Sequence, residues 1–168
     1  MSKTKFTIAE DKRTLIVERT FEAPKDRVWE AYTNPAILRR WWGPKGWTTE
    51  IKHMEFKEGG YWHYGMKCMD EAQGDWFGKT SWGKGIFGKI TPKDAFAYTD
   101  LFCDEEGTPL PNMPTSRTLL TLTEEGGTTK LTCTTEYEDA EALAQVLAMG
   151  MEEGFTQTLD NLEDVLAA

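Results

Sequence analysis

From Arg13 to Ala23 the chain alternates. Leu15, Val17, Arg19 and Phe21 share one side, and Ile16, Glu18 and Thr20 share the other. A period of two marks a strand with one buried face. The period then lengthens. In "APKDRVWEAYTNPAILRRWW", Val28, Trp29 and Tyr32 recur at intervals of three and four, which predicts two short helices. Pro24 suits the first helical position of one, and Asn34 followed by Pro35 suits the cap and first position of the other. Gly43-Pro44 ends the second helix.

After this the period returns to two. "WTTEIKHMEF", "YWHYGMKCM", "GKGIFGKIT", "AFAYTDLFC", "TSRTLLTLT" and "TKLTCTTEY" read as six further strands, separated by Gly- and Pro-containing turns. Short links between successive strands predict antiparallel pairing. Asp70–Lys84 is Gly-rich, carries Trp76, Phe77 and Trp82, and reads as a loop or an irregular strand start. The chain closes with one helix from about Asp139 to Leu166, capped by Asp139. Its stripe is Leu143, Leu147, Met151, Phe155, Leu159, Leu162, Val165 and Leu166, with Glu152, Glu153, Thr156, Asp160, Glu163 and Asp164 opposite.

One antiparallel layer must bury one face. The element long enough to cover it is the terminal helix, which at 1.5 Å per residue reaches roughly 40 Å. The predicted class is α+β: a curved antiparallel sheet of about seven strands, with two short helices after strand one, wrapped on a long C-terminal helix. A cavity between sheet and helix is a natural consequence. The expected organisation is one domain over residues 1–168, with its core at about 13–166.

Composition narrows the function classes. The chain has 168 residues and a net charge of −9, with 39% hydrophobic and 12% aromatic residues. That charge repels phosphate backbones and anionic surfaces, so no nucleic-acid partner is expected. No apolar run approaches the roughly 20 residues of a membrane span, nor is a signal peptide legible, and a cytoplasmic location is expected. Cys68, Cys103 and Cys133 lack a C-x-x-C pairing and read as reduced, inert thiols.

The residues carry a resemblance. "FEAPKDRVWEAYTNPAILRRWWGPKGW", "EFKEGGYWHYGM", "GKGIFGKITPKDAF", "DEEGTP" and "MGMEEGFTQTLDNLEDVL" resemble the activator-of-heat-shock-protein-90-ATPase-like family. That family belongs to the START-like, helix-grip superfamily, also called SRPBCC. The resemblance runs from about Leu15 to Leu166, and its most specific parts are the W-W-G-P turn, the G-G before a strand and G-M-x-x-G-[FW] in the last helix. It implies the helix-grip fold and no common catalytic set. Superfamily relatives bind lipids, hormones or polyketides in the cavity, and a few catalyse cyclisation. Glu55 and Lys57 stand where the family pattern carries Asp-x-Arg.

In "YWHYGMKC", Trp62, Tyr64, Met66 and Cys68 share a face that should meet the helix, either as packed core or as pocket wall. His63 falls opposite and is expected to be exposed, while the inward face of the His53 strand is ambiguous. Asp100 is in phase with Phe96, Tyr98 and Phe102. On an inward face it is a polar group at the cavity that could orient a ligand. Where the strand leaves the sheet it is a solvated acid, the favoured expectation since Asp is rarely buried unpaired. Neither metal-ligand spacing, nor G-x-S-x-G, nor a phosphate loop occurs, so no metal, cofactor or catalytic set is assigned. The glycines at 83, 85 and 88 read as strand-edge or bulge glycines. Gly150 and Gly154 sit in the terminal helix at a cost of about 1 kcal/mol each, offset by close packing or by space for a ligand. Thr158 could face a ligand or bond the Gly154 carbonyl. Trp41 reads as a core anchor, Trp42 as a cavity rim, and Arg39 and Arg40 as a solvated face.

The leading expectation is a non-enzymatic domain that binds a hydrophobic small molecule or lipid. Its candidate lining is Trp42, Trp62, Tyr64, Met66, Tyr98, Met151, Phe155 and Thr158. The alternatives are a co-chaperone-type interaction module using the acidic surface or the Asp70–Lys84 loop, and a cyclase- or hydrolase-like enzyme using the same cavity with His53 or Glu55. A homodimer through the outer face of the sheet and a chaperone partner both remain open at this point.

Overall fold

A computed structural model describes residues 3–168. The chain runs β1 (Lys5–Ile8), β2 (Thr14–Phe21), α1 (Lys25–Thr33), α2 (Pro35–Trp41), β3 (Trp47–Met54) and β4 (Tyr61–Cys68). After a 3-10 turn over Glu71–Trp76 follow β5 (Thr80–Thr91), β6 (Ala95–Cys103), β7 (Ser116–Glu125), β8 (Thr128–Tyr137), α3 (Ala140–Ala148) and α4 (Met151–Ala167).

The strands form one antiparallel sheet in the order β1-β2-β8-β7-β6-β5-β4-β3. Every ladder but one joins strands consecutive in sequence. The exception pairs β2 with β8, setting Leu15 opposite Thr135 and Val17 opposite Cys133. The sheet is curved and unclosed, and the C-terminal helices lie in its concavity, so the fold is the α+β helix grip. Eight strands are present where about seven were expected. The added edge strand β1 has four residues, of which only Phe6 is partly buried, so it offers no alternation to detect.

The expected single terminal helix is two helices. Gly150 lies between them at φ +86°, in the left-handed region that glycine adopts without a Cβ penalty. The Met149 and Gly150 amides close α3 on the Val146 and Leu147 carbonyls, each at 3.1 Å. The apolar stripe continues through the break from Leu147 to Met151, so periodicity alone does not reveal it. Gly150 therefore bears no helix-interior cost. Gly154 lies within α4 and faces Pro44, which a Cβ would meet at an ordinary 3.5 Å.

The two short helices fill one end of the concavity. Leu38, Trp41, Val28, Leu159 and Leu162 are fully or nearly fully buried, and the Trp41 indole N–H donates to the Ala31 carbonyl at 3.0 Å. The Asn34 side chain accepts from the Ala36 amide as an N-cap; Pro24 stands one position before α1 rather than in it. Arg19, on the inward face of β2, is 2% exposed. It donates to Asp160 of α4 at 2.7 Å and to Thr4 at 3.1 Å. A buried charge needs such partners, and these tie α4 to the sheet. The W-W-G-P turn is held from α4 as well: Asn161 Nδ2 donates to the Gly43 carbonyl at 3.0 Å, and the Lys45 amide donates to Gln157 at 3.1 Å.

Candidate functional site

Beyond the end filled by α1 and α2, sheet and helices stand apart and enclose a partly open cavity of about 220 Å³. Its apolar lining includes Trp42, Met66, Phe102, Val146, Met151 and Phe155, and its polar lining includes Tyr64, Tyr98, Asp100, Ser116, Thr118, Thr135 and Tyr137. The apolar set comes from α3, α4 and the end of α2 together with β4 and β6, and Val17 of β2 and Cys133 of β8 add to it. The polar set comes from the inward faces of β4, β6, β7 and β8.

Six of the eight candidate residues border this space: Trp42, Tyr64, Met66, Tyr98, Met151 and Phe155. Trp62 does not. It is 4% exposed and lies behind the wall, with its ring centroid 4.8 Å from that of Trp42 and 4.3 Å from that of Tyr64. Thr158 does not either. It is buried one turn below, and its hydroxyl donates to the Gly154 carbonyl at 2.9 Å, as a helical threonine commonly does.

One glycine shapes the floor, and a second has the same role on the outer face. Gly83 pairs with Tyr64 across β4 and β5, and a Cβ there would fall 2.5 Å from the tyrosine Cζ and Oη. The Tyr64 ring can lie across β5 only because that atom is missing. Gly65 does the same for Trp82 on the outer face, where a Cβ would come 2.5 Å from the indole. Gly83 and Gly85 are regularly paired interior strand glycines, not the edge or bulge positions expected from the sequence. The β5 bulge falls further on, between Phe87 and Ile90, and there only Gly88 fits the expectation.

Asp100 overturns its expected role as a solvated acid. It is partly buried and borders the cavity. Burial therefore raises its carboxyl from the ordinary 3.8 to about 7, while hydrogen bonds from the Leu101 amide and the Tyr64 hydroxyl pull the other way. Burial likewise lifts Tyr64 and Tyr98 well above the ordinary phenol range, and Tyr137 to about 12, with the Asp100 charge adding to each. Thr118 and Thr135 hydroxyls bond each other at 2.9 Å across β7 and β8. The sequence carries a signal for this wall in the phase of β6 and β7. Ser116, Thr118 and Asp100 hold the same phase as Leu120 and Phe96, so polar residues continue the inward face past the point where the leucines stop.

The histidines lie elsewhere. His53 is exposed on β3 and stacks on Tyr61 at 4.1 Å. Glu55 is exposed and 3.5 Å from Lys57. Neither reaches the cavity, which removes both from chemistry inside it. His63, expected to be exposed, is 6% exposed. The β6–β7 connection folds back over the outer face there: Nε2 lies 3.2 Å from the Asp104 carbonyl oxygen, and Gly107 sits beside the ring. Cys68, Cys103 and Cys133 are free and buried, and burial pushes the Cys133 thiol up to about 12. Among the described residues no group of three or more His, Cys, Asp or Glu could hold a metal, and no helix is long and apolar enough to cross a membrane.

Sheet, helix pair and interior space together define a helix-grip domain of the START-like type. Residues 22–167 match the family described as Activator of Hsp90 ATPase homolog 1-like protein, and the chain belongs to that family. The crystal structure of protein Ms6760 from Mycobacterium smegmatis is 30% identical over 97% of this chain and 96% of its own, with a TM-score of 0.86. A solution structure from Arthrobacter aurescens is 27% identical over 97% and 91%, with a TM-score of 0.87. One from Staphylococcus epidermidis is 26% identical over 96% and 93%, with a TM-score of 0.80. No curated protein matches the chain.

Proposed function

We propose that the chain binds a small apolar or amphipathic molecule in the cavity between sheet and C-terminal helices. The supporting observation is the mixed lining: apolar side chains from helices and sheet surround a convergent polar set from the sheet. Ligand sites combine those features, with mostly apolar walls and a few placed polar groups. Size bounds the ligand. A cavity of roughly 150 Å³ holds benzene, so about 220 Å³ suits a single substituted ring rather than a sterol or a long lipid chain.

The experiment is a thermal-shift screen of the purified chain against one-ring aromatics and short-chain amphiphiles, with native mass spectrometry for stoichiometry. A ligand at 100 times its Kd stabilises the folded state by about 2.7 kcal/mol, well within reach of the assay. One-to-one binding with a raised Tm is expected. A flat response across the screen at saturating concentration contradicts the proposal.

A second reading rests on a different region. Met69, Trp76 and Phe77 are 52%, 53% and 47% exposed around the 3-10 turn, and grouped exposed aromatics suit a protein contact. Together with the family, this supports a co-chaperone-type interaction. Binding to purified heat-shock protein 90, weakened by Trp76→Ala, is the outcome this reading predicts; its absence leaves the cavity reading untouched.

A further inference from the structure

Resting on the cavity reading, one feature goes further and concerns which small molecule is held. Asp100 is a carboxyl inside the wall with no cation opposite it. The groups around it come from every neighbouring element. Its own strand β6 presents Tyr98; β4 presents Tyr64; β8 presents Tyr137 and Cys133; Cys103 lies within electrostatic reach. β5 presents Gly83, β7 presents Ser116 and Thr118, and the helices present Val146, Met151 and Phe155. Among the described residues no Lys, Arg or His borders the cavity, and none pairs with Asp100. Lys84 projects on the opposite face, over the Tyr61 ring at 4.5 Å. Interior carboxylates are ordinarily paired. This one is instead ringed by the aromatic side chains Tyr64, Tyr98, Phe102 and Tyr137.

We infer that the cavity selects a small monocationic amine with a one-ring or short apolar body. The ammonium sits between the Asp100 carboxylate and the faces of Tyr64 and Tyr98, and the apolar body lies toward Met151 and Phe155. A carboxylate supplies the countercharge, and aromatic faces stabilise a cation as it leaves water. The hydroxyls of Ser116 and Thr118 can accept the remaining N–H groups. An anionic ligand meets a carboxylate and electron-rich rings and is rejected. A neutral ligand gains the apolar wall but no charge pairing.

The charge state gives the inference a sign. The carboxyl titrates at about 7 in the empty site. Above that, the amine meets a carboxylate directly; below it, the amine must displace a proton, so its affinity falls as pH falls. A neutral analogue has no such dependence, or the opposite one if the protonated acid donates to it.

The test is calorimetric titration with benzylamine, benzyl alcohol and benzoate at about pH 8 and about pH 5.5, on the wild type and Asp100→Asn. Expected at the higher pH is benzylamine binding about tenfold or more tighter than benzyl alcohol, with no benzoate binding. The preference collapses at the lower pH and in Asp100→Asn. Should the variant not fold, the wild-type pH dependence decides alone. Equal or tighter binding of benzyl alcohol at the higher pH overturns the amine selection and leaves the cavity reading standing. Binding of none of the three overturns this inference, and the cavity reading is then judged by its own screen.

Discussion

The two ends of α4 carry one apolar stripe and meet different fates. Leu159, Leu162 and Leu166 are 0%, 0% and 7% exposed, packed against α1, α2 and the sheet. Met151 and Phe155, a turn or two earlier on the same stripe, are only partly buried and border open space. The helix does not explain the difference; what opposes it does. At the packed end, the short helices after β2 fill the concavity with Val28, Leu38 and Trp41. At the other end, no such filler exists among the described residues, and the sheet there turns from leucine to serine, threonine, tyrosine and aspartate. An amphipathic stripe specifies which side of a helix is buried. Its partners decide whether that burial is dense or hollow.

The largest expected effect separates the ends directly. Leu162→Ala should cost about 3 kcal/mol, the middle of the range for a leucine lost from a filled core. Met151→Ala should cost under about 1 kcal/mol, because the space beside it already exists. Urea unfolding of both variants measures the contrast, and comparable losses break it.

Next is Asp100→Asn. A carboxyl at about 7 in the folded chain against 3.8 when free binds its proton more tightly folded than unfolded. The stability it permits is complete below about pH 4 and declines as pH rises through about 7. Replacement by the amide should therefore stabilise the chain by about 2–4 kcal/mol at about pH 8 and leave it unchanged near pH 4. Destabilisation at the higher pH would show that the acid is paired after all.

Gly83→Ala should cost about 1–3 kcal/mol by forcing the Tyr64 ring off β5, and should reshape the hollow end while leaving the packed end intact. Tyrosine ring resonances read that displacement. The smallest effect is a gain. Gly154→Ala adds a methyl at van der Waals distance from Pro44 and should stabilise α4 by about 0.5–1 kcal/mol. A loss there would mean the turn needs the gap.

Much of this contrast is legible in the sequence. Strict alternation placed Trp62, Tyr64 and Cys68 inward. The helical wheel separated Trp41, now fully buried with its N–H bonded, from Trp42 at the cavity. Position along the phase was read correctly for Asp100, yet its environment was not, because phase gives direction and says nothing about whether the space faced is filled, wet or closed. Trp62 and Thr158 failed for the same reason: both point inward but stand behind the wall or below it. His63 was misplaced because a loop distant in sequence folds over its face, which no local period encodes. Gly150 was hidden by a stripe that keeps its spacing across a change of helix.

The central claim is that the hollow end of the grip is a binding site. Methionine methyl groups report on it, since Met66 and Met151 border the cavity while Met69 and Met149 lie exposed at 52% and 55%. With 13C-methyl methionine labelling, adding benzylamine or another ligand from the thermal screen should shift the Met66 and Met151 signals in a saturable way and leave Met69 and Met149 in place. Shifts confined to Met69 and Met149, or no saturable shift at Met66 and Met151, would contradict it.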